Sequence, residues 1–216
     1  MFQIGTKAQF LKLLGIPYGY IHVVEGAPPF PVFSLDQARD ALAEFTEQKL
    51  CTEAEAQALF LKVTEAGLCQ NFADIIKKTL EADLGTEFVP SFNFVLCDDY
   101  GYPLPHGEIR ELNGKPKSAT FYNLESAFGG LNNAVAEGNF QGDEAAHVFQ
   151  QMAKANLSLD EADQKERYEK LPEDVRAADQ EKRKQRGVGA DQTAEVPEFL
   201  RQLVRRSQIV FIDLTN

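Results

Sequence analysis

Four side chains that could do chemistry lie between positions 98 and 108 of the chain. They are two neighbouring aspartates, a histidine and a glutamate: Asp98, Asp99, His106 and Glu108. Carboxylate oxygens and imidazole nitrogens are common metal ligands, and together they can also serve as acid and base in hydrolysis. This pattern indicates a metal-assisted hydrolase with its site in residues 98–111, in which Asp99 and His106 are the candidate metal ligands.

The same segment also has an interpretation without chemistry. Asp-Asp-Tyr-Gly at 98–101 is typical of a turn, because aspartate hydrogen-bonds nearby backbone and glycine tolerates positive φ. Pro-His-Gly-Glu at 105–108 is typical of a second turn. The sequence leaves both interpretations open.

The other reactive residue types form no recognisable motif. His22 and His147 have no partner at metal-ligand spacing, and the three cysteines contain no Cys-x-x-Cys pair, which indicates reduced thiols. Gly129 and Gly130 lie in a predicted helix and not in a phosphate-binding loop, so we expect another backbone to approach them closely. No nucleotide, dinucleotide or zinc-binding motif is present, and we therefore predict no cofactor.

Charge and hydropathy narrow the class of partner. The net charge of −11 creates a field that repels nucleic acid and anionic membranes, so direct nucleic-acid binding is not expected. No apolar run approaches the roughly 18 residues of a membrane span, and the first residues lack the layout of a signal peptide. The sequence predicts a cytoplasmic protein with no membrane contact.

The last sixty residues differ in character from the rest. Residues 158–195 hold few large apolar side chains, have no counterpart in the first half, and contain the one concentrated basic cluster: Lys182, Arg183, Lys184 and Arg186. We interpret this segment as a solvated helix or a flexible arm that docks on a partner. A helix and a strand are predicted beyond it, and the strand's Val210 and Ile212 are expected to join a sheet of this chain or of a neighbour.

A gapless repeat organises the remainder. Residues 33–68 align with residues 122–157 at a constant offset of 89, and eight of the 36 columns are identical, where average usage gives about two or three by chance. The identical pairs are mostly apolar residues at helical spacing: Leu35/Leu124, Ala38/Ala127, Leu42/Leu131, Glu55/Glu144, Ala56/Ala145, Phe60/Phe149, Ala66/Ala155 and Leu68/Leu157. The shared columns are apolar helix faces and caps, so the pattern indicates a duplicated scaffold and not twin active sites.

Local signals place the elements of this scaffold. Capping boxes at 34–37 and 52–55 begin two helices, a further helix is predicted over 71–84, and Asn113-Gly114 predicts a hairpin turn. In each half the predicted order of elements is a helix, then strands, then two further helices. We predict an α+β fold with this unit duplicated, an antiparallel sheet covered by helical hairpins, and a C-terminal helix and strand.

The predicted organisation is a first repeat at 1–69, a second at 70–157, the charged arm at 158–195 and the C-terminal elements at 196–216. This organisation predicts a nonenzymatic protein-interaction scaffold, such as an adaptor, an inhibitor or an assembly subunit. A phage or a mobile element is one origin that would fit such a protein. Its expected partner is another protein or a second copy of itself. The alternative is the metal-assisted hydrolase.

Overall fold

The structure is a computed structural model that describes residues 1–4, 9–23, 29–85, 92–97, 103–112 and 114–185. Within these residues the fold is α+β, as predicted, with eight helices and two three-stranded antiparallel sheets. The strand orders are β1-β2-β3 and β4-β5-β6, so each half builds its own sheet. The predicted C-terminal helix and strand lie outside the described residues.

The element bounds follow the chain in order. The strands are β1 (Phe2–Ile4), β2 (Gly19–Ile21), β3 (Phe30–Val32), β4 (Phe92–Cys97), β5 (His106–Leu112) and β6 (Lys115–Phe121). The helices are α1 (Gln9–Leu13), α2 (Leu35–Glu47), α3 (Glu53–Glu65), α4 (Phe72–Glu81), α5 (Leu124–Ala136), α6 (Gly142–Lys154), α7 (Glu161–Glu169) and α8 (Glu173–Gln185). The described residues fall into two compact units, one within 1–86 and 135–146 and the other within 87–134 and 147–216.

Side-chain caps fix the starts of α2 and α3, as their sequences predict. The Ser34 hydroxyl accepts a hydrogen bond from the Gln37 backbone N–H, and the Thr52 hydroxyl accepts one from that of Glu55. The Glu55 carboxylate accepts in return from the Thr52 backbone N–H at 2.8 Å, which completes a capping box. These bonds from Thr52 lower the pKa of Glu55. Capping residues therefore set where both helices begin.

Equivalent contacts recur at the offset of 89 residues. A parallel bridge joins Ser34 to Cys69, and another joins Asn123 to Ser158. In each half the residue after the cap, Leu35 or Leu124, donates its backbone N–H across this bridge at 2.8 Å. The bounds of α2 and α5, and those of α3 and α6, also differ by 89. The aligned sequences therefore adopt the same local structure, while an ancestral duplication stays an interpretation.

The correspondence extends beyond the aligned block to α4 and α7. Asn71 caps α4 by accepting from the backbone N–H of Asp74, and Asp160 caps α7 in the same way through Asp163. The equivalent of α7 is thus α4, which corrects the expectation that the segment after residue 157 has no counterpart. The recurring order is three strands followed by three helices, and α1 is inserted between β1 and β2.

The two sheets also share one packing device. Gly19 on β2 lies beneath the Phe2 ring, and Gly107 on β5 lies beneath the Phe94 ring. An added Cβ at Gly107 would meet the Phe94 ring at 2.5 Å, so the ring can lie against the strand only where no side chain intervenes. Residues on the same face of β5 and β6, such as Ile109 and Phe121, are buried. This face of the second sheet therefore belongs to the core.

The expectation for Gly129 is wrong. A Cβ built at this position would meet no heavy atom of the described residues within 4 Å, so no neighbouring backbone requires a glycine there. Glycine has a low helix propensity, and nothing in the described structure explains why α5 has a glycine at position 129.

Two residues with left-handed backbone conformation give a direct test of the correspondence between the ends of α2 and α5. Lys49 follows α2 with φ of 59°, and its equivalent Gly138 follows α5 with φ of 80°. Because this conformation strains a side chain with a Cβ, Lys49→Gly is expected to stabilise the protein by about 0.5–1 kcal/mol, and Gly138→Ala to destabilise it by about 1 kcal/mol. Chemical denaturation checks both. A loss of stability in Lys49→Gly would contradict the equivalence of the two helix ends.

Candidate functional site

His106 lies in a strand and not in the turn that the sequence suggested, and Glu108 lies in the same strand. Both belong to β5, where His106 is paired with Cys97 of β4. Side chains alternate along a strand, so His106 and Glu108 share the face opposite to the core residues Gly107 and Ile109. Asp98 and Asp99, the other two candidates, lie outside the described residues.

A small polar cluster occupies this face of the second sheet. The Glu108 carboxylate accepts from Arg110 Nε at 2.9 Å and from the Cys97 thiol at 3.6 Å. Glu108 in turn raises the pKa of Arg110, with a smaller contribution from Cys97. His106 is 3% exposed, and the centroid of its ring lies 5.9 Å from that of the Tyr122 ring. Glu108 is thus committed to a local ion pair and His106 is packed against an aromatic ring.

These contacts do not assemble a metal centre from the described residues. No group of three histidine, cysteine, aspartate or glutamate side chains within the described ranges is arranged to hold a metal ion. The predicted hydrolytic site also depends on Asp98 and Asp99, so the metal-site hypothesis stays a prediction.

A cleft of about 610 Å³ opens beside this sheet, within the second unit. Its walls come from the segment before β5, the end of β6, helix α7 and helix α8, and we call it the α7–α8 cleft. The residues that line it are Pro103, Leu104, Pro105, Tyr122, Asn123, Glu161, Gln164, Lys165, Tyr168, Gln180 and Arg183. Its volume is in the range of pockets that bind small molecules or short peptide side chains.

The β6 side of the cleft is fixed by one glutamine. Gln164 on α7 donates from Nε2 to the Tyr122 carbonyl at 3.0 Å and accepts at Oε1 from Asn123 Nδ2 at 3.1 Å. Asn123 also caps α5, accepting from the Ser126 backbone N–H at 2.8 Å. The end of β6, the start of α5 and the middle of α7 are therefore tied together at one point.

The α8 side is fixed by a buried carboxylate. Asp179, which is 4% exposed, accepts from the Tyr168 hydroxyl at 3.0 Å and from Arg183 Nε at 2.8 Å. The Arg183 guanidinium lies 5.9 Å from the Tyr168 ring centroid. Burial raises the pKa of Tyr168, and the Asp179 carboxylate raises it further. Asp179 thus couples α8 to α7 and orients two residues that line the cleft.

The cleft lies where the two halves differ in chemistry. Glu161, Gln164 and Lys165 on α7 occupy the positions that Phe72, Ile75 and Ile76 hold on α4. In the first half Ile75 is fully buried and Ile76 nearly so, whereas Lys165 is exposed. The same helix position therefore carries buried apolar side chains in one half and polar side chains that line an open cleft in the other.

The predicted basic cluster lies at the end of α8. Lys182, Arg183 and Lys184 occupy its last turn, where cations complement the negative end of the helix dipole. Arg183 lines the cleft, as described above. Arg186, Val210 and Ile212, the other predicted partner-binding residues, lie outside the described residues.

The sequence alone did not identify most of the residues that line the cleft. Tyr122, Gln164, Lys165 and Tyr168 belong to no motif, and they are separated along the chain. One usable signal was present: extending the alignment past residue 157 at the same offset places polar residues opposite Ile75 and Ile76.

No family model matches this chain, and no match was found among curated proteins or solved structures. Among the described residues, no helix is long and apolar enough to cross a bilayer.

Proposed function

We propose that the chain is a nonenzymatic protein-interaction scaffold whose α7–α8 cleft receives a segment of a partner protein. The observation that carries this proposal is the contrast between the halves: the position closed by Ile75 and Ile76 in one half is an open, mixed apolar and polar cleft in the other. A structural role alone favours the closed apolar contact, because burial of those side chains stabilises the fold. Gln164 and Lys165, the polar residues at these positions in the second half, do not provide that stabilisation. Polar residues in place of a stabilising apolar contact are typical of a binding surface.

The cleft has the composition of a recognition site. Leu104, between two prolines, and the Tyr122 ring supply rigid apolar surface, while Lys165 and Gln180 supply polar groups at the rim. Interfaces combine apolar anchors with such a rim. The basic end of α8, where Lys182 and Lys184 are exposed, and the segment with Val210 and Ile212 are proposed to contribute further contacts with the partner.

A pair of steric variants tests the proposal. Affinity purification from the native source is expected to recover a partner with the wild-type chain and to lose it with Gln180→Trp, because the enlarged side chain fills the opening of the cleft. Gln151→Trp is the matched control, because Gln151 is also an exposed helical glutamine of the second unit but does not line the cleft. Equal loss in both variants, or retention in both, would contradict a role for the cleft.

A further inference from the structure

We infer that residues 208–214 of this chain occupy the α7–α8 cleft in the free protein, so that a partner must displace them in order to bind. The segment lies outside the described residues, and its sequence is Gln-Ile-Val-Phe-Ile-Asp-Leu. This inference rests on the proposed function, because it names an internal competitor of the partner that the cleft receives.

The described part of the chain ends beside the cleft. Arg183, which lines the cleft, lies two residues before Gln185, the last residue of α8, and this separation is about 3 Å along the helix axis. Twenty-two residues, 186–207, then connect α8 to the segment. Because a connection of this length can span up to about 75 Å when it is extended, the segment can reach every wall of the cleft.

The segment has apolar side chains that match one wall of the cleft. Five of its seven residues are large and apolar, and one is charged. Apolar segments with high β-propensity promote aggregation when they are exposed, so covering this one protects the chain. Pro103, Leu104 and Pro105, together with Tyr122, give the cleft its apolar wall. Contact with this wall removes apolar surface from water and therefore favours the bound segment.

The polar groups of the cleft suit a peptide backbone and not a strongly charged ligand. Glu161 and Lys165 carry opposite charges on α7, and the Arg183 guanidinium is paired with Asp179. The cleft therefore selects no net charge, in keeping with a segment that has a single charged residue. Glu161 can accept hydrogen bonds, Lys165 can donate them and Gln180 can do both. The backbone of an extended segment presents both N–H and C=O groups to such partners.

The covalent connection to α8 favours this occupant over a free one. A short connection gives a tethered segment an effective concentration in the millimolar range. At about 1 mM, a Kd of about 100 μM closes about nine-tenths of the clefts, so a partner segment binds the free chain about tenfold more weakly than it binds an open cleft. Binding of the partner releases the segment, whose Val210 and Ile212 can then make the further contact proposed for them.

Tryptophan fluorescence of the full chain tests the inference, because the chain contains no tryptophan of its own. Phe211→Trp places one reporter in the segment. Gln180→Phe is added to this variant to fill the cleft without a second tryptophan, and Gln151→Phe on α6 is the matched control. Since about nine-tenths of the clefts are closed, acrylamide should quench Phe211→Trp about threefold less than it quenches the variant with Gln180→Phe. Gln151→Phe should leave the quenching unchanged.

A second substitution tests the same contact without adding bulk to the cleft. Leu104→Ser removes an apolar side chain from the wall, and it should increase the quenching of Phe211→Trp in the same direction as Gln180→Phe. Circular dichroism of each variant shows whether its helices are intact.

The outcomes separate this inference from the proposed function. Equal quenching of Phe211→Trp with and without Gln180→Phe would overturn the inference, while recovery of a partner that Gln180→Trp abolishes would keep the scaffold. Protection from acrylamide that grows with protein concentration would assign the segment to the cleft of a second copy and overturn the internal contact. Protection that Gln180→Phe removes, together with partner recovery that Gln180→Trp leaves unchanged, would support the segment in the cleft and overturn the scaffold.

Discussion

Replacing Phe149 by alanine is expected to lower the free energy of unfolding by about 3–5 kcal/mol. Phe149 is fully buried on α6, and its ring packs edge-to-face on Phe128 of α5 with centroids 5.4 Å apart. Removing the ring deletes this contact and leaves a cavity in close-packed surroundings, which adds to the lost transfer free energy. Urea denaturation followed by circular dichroism measures the change.

The chain contains its own matched control for this substitution. Phe60 is the identical residue at the equivalent position of α3, yet it is partly exposed and has the Arg39 guanidinium 5.4 Å from its ring centroid. Phe60→Ala is therefore expected to cost about 1–2 kcal/mol, from partial burial and a weak cation–π contact. Equal losses at the two positions would show that the halves bury the shared phenylalanine alike and would contradict the structure.

Replacing Asp179 by alanine is expected to destabilise the contact of α8 with α7 by about 2–3 kcal/mol. The carboxylate is buried and accepts from Tyr168 and Arg183, and removing it leaves both donors without this acceptor. Arg183 is about half exposed, so water compensates for part of its loss. Hydrogen exchange should show faster exchange of the α8 amides, while β5 and β6 keep their protection.

Two companion variants separate the buried bond from helix propensity. Glu181→Ala removes an exposed carboxylate from the same helix and is expected to change stability by less than about 0.5 kcal/mol. Asp179→Asn keeps an acceptor of similar size and should fall between the wild type and Asp179→Ala. If Glu181→Ala and Asp179→Ala had the same effect, Asp179 would not couple the two helices.

The helices of this fold were predictable because their signals are local. Ser34 and Thr52 begin α2 and α3 at the predicted residues, and the apolar spacing of Ala38, Leu42 and Phe45 gives the buried face of α2. A cap and a face both depend on residues within a few positions of each other.

The sheets were less predictable because strand pairing is not local. The start of β5 at His106 depends on Cys97 of β4 and on Phe94, which packs over Gly107. No short window shows this pairing, so the sequence around Gly107 resembled a turn. The same reason explains why two separate sheets replace the predicted antiparallel sheet from both halves.

The cleft was the least predictable feature. Its walls join residues near 104, 122, 165 and 180, which meet through side-chain bonds such as those of Gln164 and Asp179. The expectation that function lies where the halves differ stays a prediction. It favoured residues 98–116, the charged arm and the C-terminal strand, and it did not anticipate the polar face of α7.

Site-specific photo-crosslinking in cells of the native source tests the central claim most directly. One variant carries a photoreactive amino acid at position 180, which lines the cleft. A second variant of the same chain carries it at position 151, an exposed position on α6. An interaction scaffold that uses the α7–α8 cleft predicts a discrete protein adduct from position 180 at a yield about tenfold above that from position 151. Equal yields from both positions, or no protein adduct at position 180, would contradict it.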